Sequence, residues 1–235
     1  MNKFIKISLF LCLIFMGSGL VQSNSNETKK THFPFYQVLP VDDAGKDLNF
    51  KNFKNQLMNA LDHKDHEFLI KHIDKNIKFS FGPENGLKSF IHDWNLDKDP
   101  KKSKIWLELK DVLKLGGVIE EDGSFTYPYT FRNFPDKFDA FSSYVVTDKN
   151  VGLYTSPSFK SKIIKKLNYE IVSYVCDTKV KETENNRSYY WSKVEISSGL
   201  QGYVLEKFLR SPIDYRVMFK KIDREWKMIF FVAGD

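Results

Sequence analysis

Phe50, Phe53, Leu57, Ala60 and Leu61 recur at spacings of three and four, and Phe68, Leu69 and Ile73 continue a second stripe. The pattern predicts one or two amphipathic helices over residues 50–74, with one side facing a core. Ile77, Phe79 and Phe81 then alternate with polar residues, the period of a strand, and Gly82-Pro83 ends it. Leu87, Phe90, Ile91 and Trp94 predict a short helix. After a break at 97–100, Ser103 is placed to cap a helix carrying Ile105, Trp106, Leu109, Val112 and Leu113. Gly116-Gly117 terminates that helix. Residues 118–134 hold two β-like pieces around a Glu-Asp-Gly turn.

From Tyr144 the rhythm changes to short apolar runs separated by frequent turns: Val145-Val146, Val151 to Tyr154, Ile163 to Leu167, Ile171 to Val175, Tyr190 to Ile196 and Gln201 to Val204. Several short strands at near-regular spacing indicate a small barrel or sandwich. The polar run 177–188 is expected to be a loop or the end of a long hairpin. Two alternating segments follow, Tyr215 to Ile222 and Trp226 to Ala233, around an Asp-Arg-Glu turn. A lone hairpin cannot bury its aromatic face, so residues 212–235 are expected to pack on the helix-rich region, whose own strands are too few for a full sheet.

The order Val-x-Leu-Tyr-x-x-Pro-Ser (151–158), Ile-Ile-x-x-Leu (163–167), a Val-rich strand, Trp-x-Lys-Val (191–194), Gly-x-x-Gly-Tyr-Val (199–204) and a closing Leu209 resembles the bacterial SH3 domain. Members of that family carry an Arg where Tyr154 stands and Gly-Trp-Val where this chain has Gly202-Tyr203-Val204. The resemblance covers about 65 residues and implies a small all-β SH3-like barrel. The helix-rich start, with the terminal Phe-Lys-Lys-x-x-x-x-Trp-Lys-Met (219–228), is in turn similar to cone-shaped folds of the nuclear-transport-factor type. The expected fold class is therefore α+β, with the barrel at 144–211 inserted in or following an α+β domain at 32–143, closed by a C-terminal β-hairpin at 212–235.

The amino terminus sets the expected compartment. Lys3 and Lys6 precede an apolar run, Ile7 to Met16, and then small and polar residues to Ser23. This is the layout of a secretory signal peptide over residues 1–23; a membrane span needs roughly 20 apolar residues and the run is shorter. Cys12 sits within the apolar run rather than after it, which argues against a lipoprotein. Residues 24–31 are polar and read as a tether. Export to the periplasm or outside the cell is expected, with no integral membrane span after cleavage. Losing Lys3 and Lys6 lowers the formal charge from +6 to +4. No run of five or more basic residues occurs, so no nucleic-acid arm is expected. Cys176 alone remains after cleavage and has no internal disulfide partner.

Catalytic constellations are weak. His63, His66 and His72 crowd one segment, but His66 and His72 are six apart, not the four of a His-Glu-x-x-His zinc helix. Cys176 is followed by no histidine, as a cysteine peptidase would require. Glu120, Glu121 and Asp122 read as a solvated turn rather than a glycosidase pair. No enzyme activity, metal or cofactor is expected. The aromatics of the barrel are the better candidates. Tyr154, Tyr189, Tyr190, Trp191 and Tyr203 fall near turns and strand ends, where rings with polar tips stack on peptides and sugars. Trp191 and Tyr203 also suit barrel-core positions. Lys193 and Arg210 are candidate carboxylate partners. The family resemblance implies recognition of wall peptide or glycan, so peptidoglycan or an envelope protein is the expected partner. The alternative is a structural or assembly subunit of the envelope.

Overall fold

The computed structural model of the chain describes residues 33–175 and 179–234. The segments expected to be a signal peptide (1–23) and a tether (24–31), and Cys176, lie outside the described residues. The fold is mixed α+β, with two sheets and few helices. Among the described residues no helix is long and apolar enough to cross a membrane.

Helix α1 (Leu48–His63) starts where Asp47 accepts a hydrogen bond from Phe50 N at 2.9 Å. It stops where Lys64 adopts a left-handed conformation. Asp65 then caps α2 (His66–Lys71) through Phe68 N. Each short acidic side chain satisfies a donor that the first helical turn leaves open. Strand β1 (Ile73–Lys78), α3 (Leu87–Asp93) and α4 (Ile105–Lys114) follow. Then come β2 (Val118–Ile119), β3 (Phe125–Tyr127) and one helical turn, α5 (Tyr129–Arg132). The first strand is earlier than its alternation implies: it begins at Ile73 and ends before Phe79–Phe81. Ile73 and Ile77, four apart, satisfy a helical and a strand period equally, and parallel pairing with the C-terminal strand decides between them.

The remaining strands are β4 (Ser143–Val146), β5 (Val151–Tyr154), β6 (Ile163–Leu167), β7 (Ile171–Tyr174), β8 (Val180–Glu184), β9 (Arg187–Glu195), β10 (Gln201–Leu205), β11 (Leu209–Arg210), β12 (Arg216–Ile222) and β13 (Glu225–Val232). The first sheet runs β1-β13-β12-β3-β2, antiparallel except for β1 on β13. Its central strands are thus the two last in the chain. Helices α1 and α4 cover it around Phe50, whose ring stacks on Phe125 at 3.7 Å and meets Trp226 edge-on at 4.9 Å.

The second sheet lies in the chain between β3 and β12, which are neighbours in the first. It runs β11-β4-β7-β9-β10-β5-β6, with β8 added along β9. Val146, Val151, Leu153, Leu167, Val172, Val194, Ile196 and Val204 form one core. Strands at distant places along the path contribute to it, so the sheet curls around its own interior. It does not close as a barrel: β6 and β11 end the path without pairing with each other among the described residues. The lysines at 165 and 166 on the outer strand β6 suit an edge that remains unpaired.

A third cluster, around Val38, Tyr129, Phe138, Val145 and Ile171, draws on strands β4 and β7 of the second sheet and on α5, which follows β3 of the first. The strip 36–38 binds the turn before β7: Val38 N donates to Tyr169 O at 2.8 Å and Ile171 N to Tyr36 O at 2.9 Å. All the described residues belong to one compact unit.

Candidate ligand-binding groove

The β8–β9 hairpin is built by Asn185 and Asn186, both at positive φ (49° and 59°). Two such residues form the tight turn whose twist matches the flanking strands. This turn fixes the register: Glu182 opposes Tyr189, Lys181 opposes Tyr190 and Val180 opposes Trp191. Along β9, Ser192 and Val194 face inward and are buried, so Tyr189, Trp191 and Lys193 lie on the outer face.

An aromatic row runs across that outer face. Tyr154 meets Trp191 edge-on at 5.0 Å, Trp191 meets Phe159 at 5.1 Å, and Phe159 meets Tyr189 at 4.8 Å. Phe159 comes from the β5–β6 loop, which folds over the sheet and leaves Trp191 fully buried. Glu182 pins the arrangement. Its carboxylate accepts from Ser158 Oγ at 2.7 Å, from Trp191 Nε1 at 3.0 Å and from Phe159 N at 3.2 Å. These donors, the Ser158 hydroxyl first, hold the Glu182 carboxyl below the usual carboxylate range.

Beside the row, a groove of about 410 Å³ opens between residues 188–190 of β9 and residues 205–207. Tyr189 and Tyr190, consecutive on β9 with side chains on its opposite faces, both line it, and Tyr190 is 45% exposed. Leu205, Glu206 and Lys207 line its other side. Glu206 is held by an ion pair with Lys179, whose ammonium is pushed up by that contact. The groove is therefore mainly apolar and aromatic, with charge at one rim.

The five sequence-predicted aromatics separate into three roles. Tyr189 and Tyr190 line the groove. Tyr154 and Tyr203 are partly exposed and paired in register at the far end of the row, where Tyr203 also opposes Lys193. Trp191 is corrected: with no exposed surface it is a packing residue, because the Phe159 loop takes the face a ligand would need. Arg210 is likewise turned away from the groove. It pairs with Asp214 at 2.8 Å and donates to Tyr215 O at 2.7 Å. Phe159, Glu182 and Leu205 are missed by a search for tyrosines and tryptophans. The Asn-Asn turn was the signal available, since it sets Glu182 opposite Tyr189.

The other candidate groups are engaged locally. Arg132 Nε reaches both Glu120 carboxylate oxygens at 2.9 and 2.8 Å. Asp122 accepts from Ser124 and Lys220. The Nδ1 atoms of His63 and His72 lie 2.9 and 2.8 Å from the carbonyls of Asn59 and Phe68. No family model, curated protein or solved structure matches the chain.

Proposed function

We propose that this chain is an exported, non-catalytic binding protein. Its residues 144–211 form a bacterial SH3-like module, and the Tyr189–Tyr190 groove takes a peptide or glycan strand of peptidoglycan. The single observation that carries the reading is the groove itself: two accessible tyrosines stand on a hairpin whose back is fixed by Trp191 and Glu182. A rigid aromatic wall loses little conformational freedom on binding, which favours recognition by stacking. The order of short strands and the single core they share support the SH3-like reading, in an open form. The charged start, apolar run and small-residue end of residues 1–23 support export.

Co-sedimentation of the purified chain, residues 24–235, with isolated sacculi tests this at low and moderate salt. Pelleting should survive moderate salt, and replacing Tyr189 and Tyr190 by Ala should weaken it about tenfold or more. Pelleting lost with salt alone would show only the net positive charge at work.

A second reading, an assembly subunit of the envelope, draws on Phe35, Leu39 and Phe141. Each is more than half exposed, on segments flanking the third core cluster. Absence of pelleting at either salt, with a cross-linked partner recovered from cells, would favour it.

A further inference from the structure

A larger cavity than this groove lies elsewhere. It has a volume of about 610 Å³ and opens where the ends of α3, β12 and β13 meet the approach to α4. That size suits a small ligand. Its apolar surface comes from Trp94 and Tyr215, rings 5.5 Å apart and tilted by 55°, both partly exposed. Phe231 supports them from behind, stacked on Tyr215 at 5.0 Å and 5.3 Å from Trp94. Such a backed pair offers a firm face to a ring with an apolar side.

The polar lining has a definite character. Ser103 is buried, and its Oγ accepts from Ile105 N at 3.3 Å, which leaves the hydroxyl proton to donate elsewhere. Lys102 and Lys104 stand at the rim against one acid, Asp93. Lys102 is paired with Asp99 at 2.9 Å. Lys104 makes no ion pair or side-chain hydrogen bond among the described residues. It lies in helical conformation in the first turn of α4, one residue after Ser103, whose Oγ caps Ile105 N; a cation there opposes the helix dipole, and its charge bears on Glu108 one turn on. The dipole thus disfavours a lysine at this end of the helix, and a ligand carboxylate at the rim would offset that.

We infer that the cavity formed by Trp94, Tyr215, Ser103 and Lys104 binds a monoanionic saccharide, a hexose-sized ring bearing one carboxylate. The ring's C–H face lies on Trp94 and Tyr215, its hydroxyls meet Ser103 and its neighbours, and its carboxylate reaches Lys104. A phosphate dianion fits less well: there is no arginine fork, Lys102 is already matched, and Asp93 repels a second charge. A purely apolar ligand would cover the Lys104 ammonium and the Ser103 hydroxyl proton without offering either a group to meet. This site is separate from the Tyr189–Tyr190 groove and does not rest on it.

The tryptophans provide the readout. Trp106, Trp191 and Trp226 are buried, so Trp94 is the accessible one of the four. Acrylamide, a neutral quencher, reports on it without being drawn to the lysines. Glucuronate, glucose and acetate are the probes, added to the full chain at constant ionic strength. Glucuronate should protect Trp94 from quenching at concentrations at least tenfold below those needed for glucose, and acetate should not protect. Lys104→Ala should remove the difference between the two sugars while leaving the thermal midpoint in place. Trp94→Phe should abolish the quenching signal, which checks its assignment. Equal protection by glucose and glucuronate, protection by acetate alone, or none up to the solubility limit would each overturn the proposal.

Discussion

The indole Nε1 of Trp191 donates to Glu182 Oε2 at 3.0 Å, across the hairpin that ends in Asn185-Asn186. The same carboxylate also receives Ser158 and Phe159 from a loop more than twenty residues earlier. One acid therefore ties a hairpin, a loop and a buried ring together. Its carboxyl is held below the ordinary range, so its contribution to stability is complete above the unfolded value and fades as pH falls through the lowered folded value. Acid titration of the near-ultraviolet circular dichroism should show the Trp191 signal weakening in that range. Other carboxylates titrate there too, so the comparison that matters is with Glu182→Gln. The variant should be less stable at neutral pH and should lack this component of the acid loss. Identical acid profiles for the two proteins would show that the loop is held by packing alone.

Trp191 and Tyr190 are neighbours in sequence with opposite expectations. Trp191 is fully buried, and a Trp-to-Ala change at such a site typically costs about 3–5 kcal/mol. Tyr190 is 45% exposed, and its removal should alter stability by about 0.5 kcal/mol or less. Urea unfolding midpoints measure both. Tyr190→Ala should keep the wild-type midpoint yet weaken sacculus binding. A large stability loss in Tyr190→Ala would mean that the groove wall is part of the core.

The first sheet depends on the last residues of the chain. Strands β12 and β13 stand between β1 and β3, so removing residues 212–235 strips β1 of its partner and leaves only the short β2–β3 pair. Val217, Phe219, Trp226, Met228 and Phe231 would leave the core with them. A chain ending at Ser211 should lose protection from hydrogen exchange in α1 and α4, while β5, β9 and β10 keep theirs. Retained helical protection after truncation would show that α1 and α4 fold against each other without the sheet.

What the sequence made legible follows from how local each signal is. The spacing of Phe50, Phe53, Leu57 and Leu61 is enough to place α1, because all four face one core. Gly116-Gly117 marks the end of α4, since Gly116 takes a φ of 89°. The start of β1 is hidden because Ile73 and Ile77 fit two periods, and only pairing with Met228 and Phe230 near the end of the chain separates them. The tyrosines of the groove are visible as aromatics near turns. The burial of Trp191 is not, because it comes from Phe159 in a loop whose path is set by Glu182. Glu182 itself sits in a polar run, Lys-Glu-Thr-Glu, where nothing but hairpin register distinguishes it from Glu184.

Two glycines with similar backbone allow a contact to be separated from a conformation. Gly116 and Gly123 have φ of 89° and 77°, so alanine at either is strained by about 1–2 kcal/mol. A Cβ at Gly123 meets nothing, whereas at Gly116 it would fall 2.3 Å from the carbonyl oxygen of Val41. That oxygen belongs to the strip running from Val38, packed near the second sheet, to Asp42, which accepts from the Tyr127 hydroxyl in the first. Backbone cannot yield as a side chain would, so Gly116→Ala must displace the strip. It should be about 2 kcal/mol or more less stable than Gly123→Ala by chemical unfolding. Hydrogen exchange should also quicken at Val38 and Ile171, whose amides bind Tyr169 O and Tyr36 O. If both variants unfold at the same midpoint with unchanged exchange there, the strip is not what joins the two sheets.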